Sequence, residues 1–588
     1  MRHILNLSAL WPDLSELRAY GRSALSRDAR AGFTVAVFAA PQAVAYALLA
    51  GLPPVHGLYA ALVMSIVAAL WGSSRYVNTG PTNSAALLTA AALAPWAGSP
   101  QFLGICFTLT LLVGALRLAL GLLRMGRLVQ FVPESGFLGF TVGAGLLIAL
   151  GQLHHLLNVV PGPGTWAPGR VAGTLYHLGE LNVHTTGIGL ACLLLLLLTD
   201  RTRWRNWAPL TAIVLASLYA LVLGPASGIR LVRDIVPVGH GLPAFVMPSW
   251  SPDTVIALLP SALAISLVGL IEAVSIGLTL ALKHRERLDF DREFVGQGMS
   301  HLVSAFFQGM PGSGSFSRSA LMEHLGAATR LANVYFGLFT AAALLVAPRL
   351  LDAIPVSALA GLLLFIGYKL VNVPRILRVV ATSRPDVVLL VATFLVTVFV
   401  RIEYGIFIGV VLGALLYLQR ACGVHLAELV PNGGDRFDEL PYEPGVVHAP
   451  SALVALTLSG DLFYGQAPGL RDQLEEILRL QQPRHLVIRM RRAYSVDFSC
   501  WSALLDCAEA LVASGGRLYL TGVRPDLQKV VGREALCRLI PPDRVYAQTE
   551  EPFEAFSACL ADVLKAMPGD QDLPPAWQQA RRVVGERA

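Results

Sequence analysis

Apolar residues run through this chain in blocks of about twenty, the length a helix needs to cross the hydrocarbon core of a bilayer. Such blocks fall at 28–50, 55–72, 101–123, 134–157, 184–200, 207–224, 254–282, 290–309, 331–351, 355–371, 386–401 and 404–420. Two further apolar segments, 81–95 and 315–328, are too short to cross alone, and each opens on Gly, Pro, Ser or Thr. Counting them as broken helices gives about fourteen elements, with the short ones in third and tenth place. Those places are equivalent if the membrane region is two repeats of seven. An odd number of spans per repeat inverts the second, so the expected class is an α-helical polytopic membrane protein of 7+7 inverted repeats with two half-helices.

Beyond residue 425 the period changes. Leu453–Leu458, His485–Met490 and Arg517–Thr521 read as buried strands, and helical patterns at 466–481, 499–514, 525–533 and 551–565 alternate with them. That alternation predicts a small α/β domain. Pro431–Pro450, rich in Gly, Pro and acids, reads as a linker or as a first edge hairpin. The predicted organisation is a cytoplasmic segment 1–27, a transmembrane region 28–424, a linker 425–450, the α/β domain 451–568 and a tail 569–588.

Composition supports two solvents in one chain. Of 588 residues 54% are hydrophobic and 14% charged, well under the roughly one quarter charged that soluble domains carry. The net charge of +6 sits in short clusters between apolar blocks, unlike the single basic face of a nucleic-acid binder. With the N-terminus inside, Arg18, Arg22, Arg27 and Arg30 precede the first span, and basic residues should follow every even one. They do: Arg75, Arg124 and Arg127, Arg201, Arg203 and Arg205, Lys283, Arg285 and Arg287, Arg330, Arg375, Arg378 and Arg384, and Arg420. Arg230, Arg233 and Arg349 are the exceptions. The expected location is therefore a bacterial-type inner membrane with both termini cytoplasmic. Seven cysteines form no C-x-x-C pair, so neither a disulfide framework nor a zinc site is expected. No cofactor is expected, and no P-loop or nucleophile elbow marks the tail as an enzyme.

An anion entering a membrane must exchange its hydration for fixed donors. A helix N-terminus offers unpaired N–H groups and about half a positive charge, so two facing half-helix N-termini make an anion site. Gly80-Pro81-Thr82-Asn83-Ser84 and Gly312-Ser313-Gly314-Ser315-Phe316-Ser317 suit such termini. The alternative is that these small residues only let helices pack. Charged residues at membrane depth are functional by default, and Glu272 and Arg318 stand out. Arg318 is the expected partner of an ionised Glu272, which makes Glu272 a candidate proton carrier; a static ion pair is the alternative. Gln42 and Tyr46 share a face of the first span beside Pro41, and either line a cavity or join helices. Arg117, inside the fourth span, receives no role. In Asp497-Phe498-Ser499 the residues can cap a helix, and Ser499 is the candidate regulatory site.

Several of these stretches resemble the sulfate permease (SulP) family, the solute carrier 26 group. They are Asp28–Gly32, Pro41–Ala47, Ala50–Ala60 and Met310–Ala320, and the tail is similar to a STAS domain. The resemblance implies a core of spans 1–4 and 8–11 moving against a gate of spans 5–7 and 12–14 by elevator-like alternating access. It puts the anion near Gln42, Tyr46, Phe316, Ser317 and Arg318, and implies a homodimer. Sodium-coupled relatives carry Thr four residues after the acid of the eighth span, where this chain has Ile276, so protons are the expected coupling ion. Phe498 and Cys500 stand where phosphorylatable relatives have small residues, which counts against a switch at Ser499. Asp289–Phe294 also departs from the family's pattern.

The leading expectation is thus a proton-coupled symporter of sulfate or a small dicarboxylate, resident in the lipid bilayer, with a cytoplasmic protein as the STAS domain's partner. Chloride/bicarbonate exchange or an uncoupled anion path is the alternative. A nucleobase permease would conflict with Arg318 beside two positive helix ends, and a membrane-anchored signalling module, with STAS binding as its output, is a further alternative.

Overall fold

The computed structural model describes all residues except 1–6, 13–19, 128–131, 160–172, 175, 178, 180, 203, 206, 237–240, 433–436, 444–449, 532–538, 568–572, 574–576 and 579–588. Arg18, Arg203, Cys537 and nearly all of the tail 569–588 therefore lie outside the described residues. Contacts divide the chain into two compact units, Met1–Ala414 and Leu415–Ala588.

Helices occupy each of the fourteen predicted places. They are α1 (Arg22–Leu49), α2 (Pro54–Trp71), α3 (Asn83–Leu93), α4 (Phe102–Leu122), α5 (Glu134–Leu157), α6 (Val183–Thr199) and α7 (Ala208–Leu223). The second seven are α8 (Pro252–His284), α9 (Phe290–Phe306), α10 (Phe316–His324), α11 (Leu331–Val346), α12 (Val356–Leu370), α13 (Arg384–Phe399) and α14 (Ile402–Ala421). Seven described segments are long and apolar enough to cross a membrane by length and composition. The half-helices α3 and α10 have 11 and 9 residues, too few for the roughly 20 a crossing needs. Each is entered by a two-residue strand, β1 (Thr79–Gly80) and β2 (Ser313–Gly314). Among the described residues, three shorter α-helices went unforeseen: Val232–Ile235, Pro348–Asp352 and Val373–Thr382.

The closest packing falls within two sets of helices. In one, α4 lies on α9 and α8, α2 on α9 and α11, and α1 on α2 and α11. In the other, α5 lies on α12 and α13, and α6 on α12 and α7. The sets meet where α1 touches α7 and α12, and where α3 touches α5. Both half-helices are held between the same two long neighbours, because α1 and α8 each pack against α3 and α10 alike. Chain geometry thus brings the third and tenth elements to one place.

The second unit is a six-stranded sheet in the order β4-β3-β5-β6-β7-β8, formed by β3 (His425–Pro431), β4 (Phe437–Pro441), β5 (Leu453–Leu462), β6 (His485–Val496), β7 (Arg517–Val523) and β8 (Val545–Ala547). The four strands β5 to β8 are parallel, while β3 pairs antiparallel with both β4 and β5. Of the two readings for Pro431–Pro450, residues 437–441 take the hairpin, paired in register with Ala427–Pro431. Alternate residues face opposite sides, as strand geometry requires. Val454, Leu456, Leu486 and Ile488 bury against α15 (Ala467–Gln481) and α16 (Phe498–Ala513). Leu453, Ala455, Val487 and Tyr519 bury against α18 (Glu554–Ala566), which follows the short helix α17 (Pro525–Val531). Arg489 closes the second face, stacked 4.2 Å from the Phe553 ring and donating to Glu439 Oε1 at 3.1 Å and Pro552 O at 2.9 Å.

Candidate anion-binding site

Two strands of two residues cannot hold a sheet alone, yet β1 and β2 pair antiparallel, Thr79 with Gly314 and Gly80 with Ser313. The Ser315 amide extends the pairing by donating to Asn78 O at 3.0 Å. The crossing is tight enough that a Cβ on Gly312 would lie 2.3 Å from the Gly80 carbonyl oxygen, so only glycine fits there. The pairing brings the start of α3 beside the start of α10. Thr82 and Ser315 stand at the two N-cap positions, and neither side chain accepts from its helix, so the cap residues leave the first N–H groups free of a side-chain cap. Thr82 Oγ1 instead lies 3.1 Å from Ser313 Oγ.

Arg318 sits one turn into α10 and is almost fully buried. Its Nε donates to Asn78 Oδ1 at 2.7 Å and its Nη1 to Pro81 O at 3.0 Å, so a residue of the second half is anchored on the first. Its Nη2 has no hydrogen-bond partner. Asn78 is fixed in turn: its amide donates to Ser319 Oγ at 2.9 Å, and its side chain to Asn333 Oδ1 at 2.9 Å. A buried guanidinium with one unpartnered nitrogen, beside two uncapped helix ends, is an arrangement suited to a bound anion.

Glu272 corrects the sequence reading. No ion pair joins it to Arg318; its two carboxylate oxygens accept from the hydroxyls of Ser84 and Ser313 instead. One carboxylate on α8 therefore bridges the first turn of α3 and strand β2. Glu272 itself is half-buried. Tyr46, buried on α1, lies within electrostatic reach of both Glu272 and Arg318. Gln42, one turn earlier and also buried, leaves Oε1 without a hydrogen-bond partner. Asn83 is half-buried, Phe316 is 62% exposed, and exposed Ser317 lies 3.3 Å from Ser315 by their hydroxyls. The structure thus gathers Tyr46, Thr82, Ser84, Glu272, Ser315, Ser317 and Arg318 around the crossed strands.

Behind β2 lies a layer that sequence reading passed over. Arg117 of α4 is fully buried and donates to Gly312 O at 3.0 Å and Ile265 O at 2.8 Å. A Cβ on Gly269 would meet its Nη2 at 1.9 Å, so that glycine makes room for the guanidinium. His301 of α9 accepts the Gly312 amide on Nε2 at 3.0 Å while Nδ1 faces Gln297 O at 2.7 Å, which fits the Nδ1-protonated tautomer. Gln297 donates to Thr79 Oγ1 at 2.7 Å, so α9 braces both strands. The available signal was a charge inside an apolar span, at Arg117, without anything to name its partners.

In the second unit, Asp497 caps α16, accepting the Cys500 amide at 2.9 Å. Burial and the neighbouring Asp497 carboxylate push the Cys500 thiol up to about 12. Burial holds His485 below its ordinary value, with Arg517 and Arg544 adding to the effect. Ser499 is half-buried next to Phe498, which is 87% exposed. None of these side chains meets a catalytic partner.

A family model described as the sulfate permease family matches residues 25–393, and a STAS domain model matches 444–551. Sulfate transporter 4.1, chloroplastic, of Arabidopsis thaliana is 28% identical over 604 residues, covering 97% of this chain and 86% of its own. A probable sulfate transporter of Mycobacterium tuberculosis is 28% identical over 564 residues, covering 93% and 98%. Murine solute carrier 26 family member A9, an anion transporter solved in the inward-facing state, superposes with a TM-score of 0.80 at 19% identity, over 92% of this chain and 93% of its own. The transmembrane domain of the cyanobacterial bicarbonate transporter BicA gives 0.57 at 24% identity, over 67% and 98%. At these identities the structural likenesses speak for the fold.

Proposed function

The chain belongs to the sulfate permease family, and from that premise we propose that it is a secondary transporter of small oxyanions, sulfate or a small dicarboxylate, coupled to protons. The observation that carries the reading is the crossed β1–β2 pair, which sets two uncapped helix ends and the unpartnered nitrogen of Arg318 around one space. Both relatives compared by sequence bear the name of sulfate transporters, which favours sulfate over the other anions. The anion takes N–H groups from Asn83–Ser84 and Phe316–Ser317, hydroxyls from Thr82, Ser315 and Ser317, and charge from Arg318. Gln42 and Tyr46 close the side formed by α1.

The coupling follows from who donates to Glu272. While its carboxylate is ionised, Ser84 and Ser313 spend their hydroxyl protons on it and are not free to serve a substrate. The negative charge also opposes an anion nearby. A proton on Glu272 removes that charge and releases a hydroxyl donor, so proton and anion each raise the other's affinity. The set of α1–α4 with α8–α11 then carries both past the second set, in an elevator motion within a homodimer whose termini are cytoplasmic. The STAS domain binds a cytoplasmic protein there; Asp497 already caps α16, which leaves Ser499 the weaker candidate for regulation.

Labelled sulfate uptake into proteoliposomes, with and without an inward proton gradient, tests this. The gradient should accelerate uptake, and Glu272→Gln should erase the acceleration while leaving exchange of internal for external sulfate. Uptake indifferent to the gradient in the unsubstituted protein would remove the coupling. A requirement for internal counter-anion would point to the exchanger.

A further inference from the structure

Between α12 and α13 the chain forms a ten-residue helix, Val373–Thr382, in which no residue is buried. It is a bounded element. Asn372 caps it, Oδ1 accepting the Arg375 amide at 3.1 Å, and Ser383 stands at its end as the N-cap of α13. At 3.6 residues per turn Val373, Leu377 and Val380 make one strip, and Arg375, Arg378 and Thr382 make the opposite one. The apolar strip is more than half exposed along its length, at 53%, 62% and 56%. In water such a strip on so short a helix would be unfavourable. The helix does not sit in water alone. It lies between two apolar helices, separated from α12 by Val371 and Asn372 and from α13 by Ser383 alone, so its place in a bilayer is set by theirs. Its arginines are also short of partners: Arg375 has a 3.6 Å contact with exposed Glu134, and Arg378 has no ion pair among the described residues.

We propose that Val373–Thr382 is an interfacial helix, with Val373, Leu377 and Val380 in the acyl region and Arg375 and Arg378 bound to anionic lipid headgroups. Two features choose lipid as the occupant. The apolar and basic strips lie on opposite sides, which is the pattern that fills a boundary between hydrocarbon and water. The basic strip also complements the negative surface of the leaflet on the arginine-rich side of the membrane, where Arg375, Arg378 and Arg384 cluster. The helix would then tie one wall of the membrane unit to the bilayer surface, whichever anion is carried and however it is coupled.

The test uses the full chain in mixed phosphatidylcholine–phosphatidylglycerol vesicles. A fluorophore is placed on L377C after Cys422 and Cys537 are replaced by Ser; the other five cysteines are buried. Shallow nitroxide-bearing lipids should quench this label, and aqueous iodide should not. Nitroxide on phosphatidylglycerol should quench more effectively than on phosphatidylcholine by about tenfold, given the attraction of two arginines to an anionic surface. That preference should collapse toward parity in R375Q/R378Q and in 1 M salt (an approximate screening condition). Quenching by iodide alone, an unchanged lipid preference in R375Q/R378Q, or efficient cross-linking of L377C between two copies would overturn the proposal. The last would show a second copy covering the strip.

Discussion

The two half-helices occupy equivalent places and meet across one strand pair, yet they are built differently. The first, α3, carries no charged residue and contributes backbone and hydroxyls; the residues on either side of β1 present Asn78 Oδ1 and Pro81 O as acceptors. The second, α10, carries Arg318, which reaches across to both of those acceptors. Glu272 reverses the direction, taking one hydroxyl from each half. The first half therefore acts as a cradle and the second as the charge placed in it. Two similar helix ends meet here, and a few side chains divide the work between them.

Removing the charge should break this division most severely. Arg318→Ala strips a donor from the site and leaves Asn78 Oδ1 and Pro81 O unmet, so uptake should fall by about 10²–10³ at subsaturating sulfate. Arg318→Lys keeps the charge but not the planar fork, and should recover only part of it. A drop of less than tenfold in Arg318→Ala would mean the helix ends suffice by themselves.

The strand crossing should be next, and it is asymmetric. A methyl at Gly312 meets the Gly80 carbonyl at 2.3 Å, whereas one at Gly80 meets Arg318 Nη2 at 3.2 Å, a contact that a small shift relieves. Gly312→Ala should cost roughly 1–3 kcal/mol, visible as a lowered Tm in detergent together with lost uptake. Gly80→Ala should leave the Tm near the parent and lose less uptake than Gly312→Ala, its methyl displacing only the end of the Arg318 side chain. Equal effects would deny that the crossing is closest on the side of the second half.

The two serines should differ least from each other. Each donates to Glu272, so Ser84→Ala and Ser313→Ala should each cost about 1.5–3 kcal/mol in proton-driven uptake, the range for a hydrogen bond to a charged group. Ser313 also faces Thr82, which should make its substitution the more damaging of the two. The double variant combined with Glu272→Gln should lose little beyond Glu272→Gln alone, since the three act as one unit. Additive losses would separate the serines from the carboxylate.

Much of this architecture is legible in the amino-acid pattern. Blocks of about twenty apolar residues, two short segments with Gly-, Pro- and Ser-rich leaders, and the change of period after residue 425 reflect local physics: bilayer thickness, helix rise and strand alternation. Arg318 and Glu272 stand out because charge at membrane depth is costly. Charge alone favours their mutual pairing, which does not form, because Glu272 meets two hydroxyls and Arg318 an amide and a carbonyl. Ser313 could not be assigned before the register of β1 on β2 was known, because that register joins residues more than two hundred positions apart. Arg117 and His301 stayed silent for the same reason, since their partner is Gly312, immediately before a strand two residues long. The helix Val373–Thr382 was hidden because three exposed apolar side chains separated by basic ones look like the end of one span and the start of the next.

The link from Asn78 to Ser319 spans 241 residues, and this has a consequence for biosynthesis. Asn78, Thr79 and Pro81 are inserted early, but their partners have not yet been translated. For the whole of that interval the ribosome holds a half-finished chain whose first short helix has nothing to cross. Premature termination anywhere before β2 would leave buried polar groups stranded in lipid without their partners. The centre of the molecule is thus the last part of the membrane unit's first eleven helices that can settle.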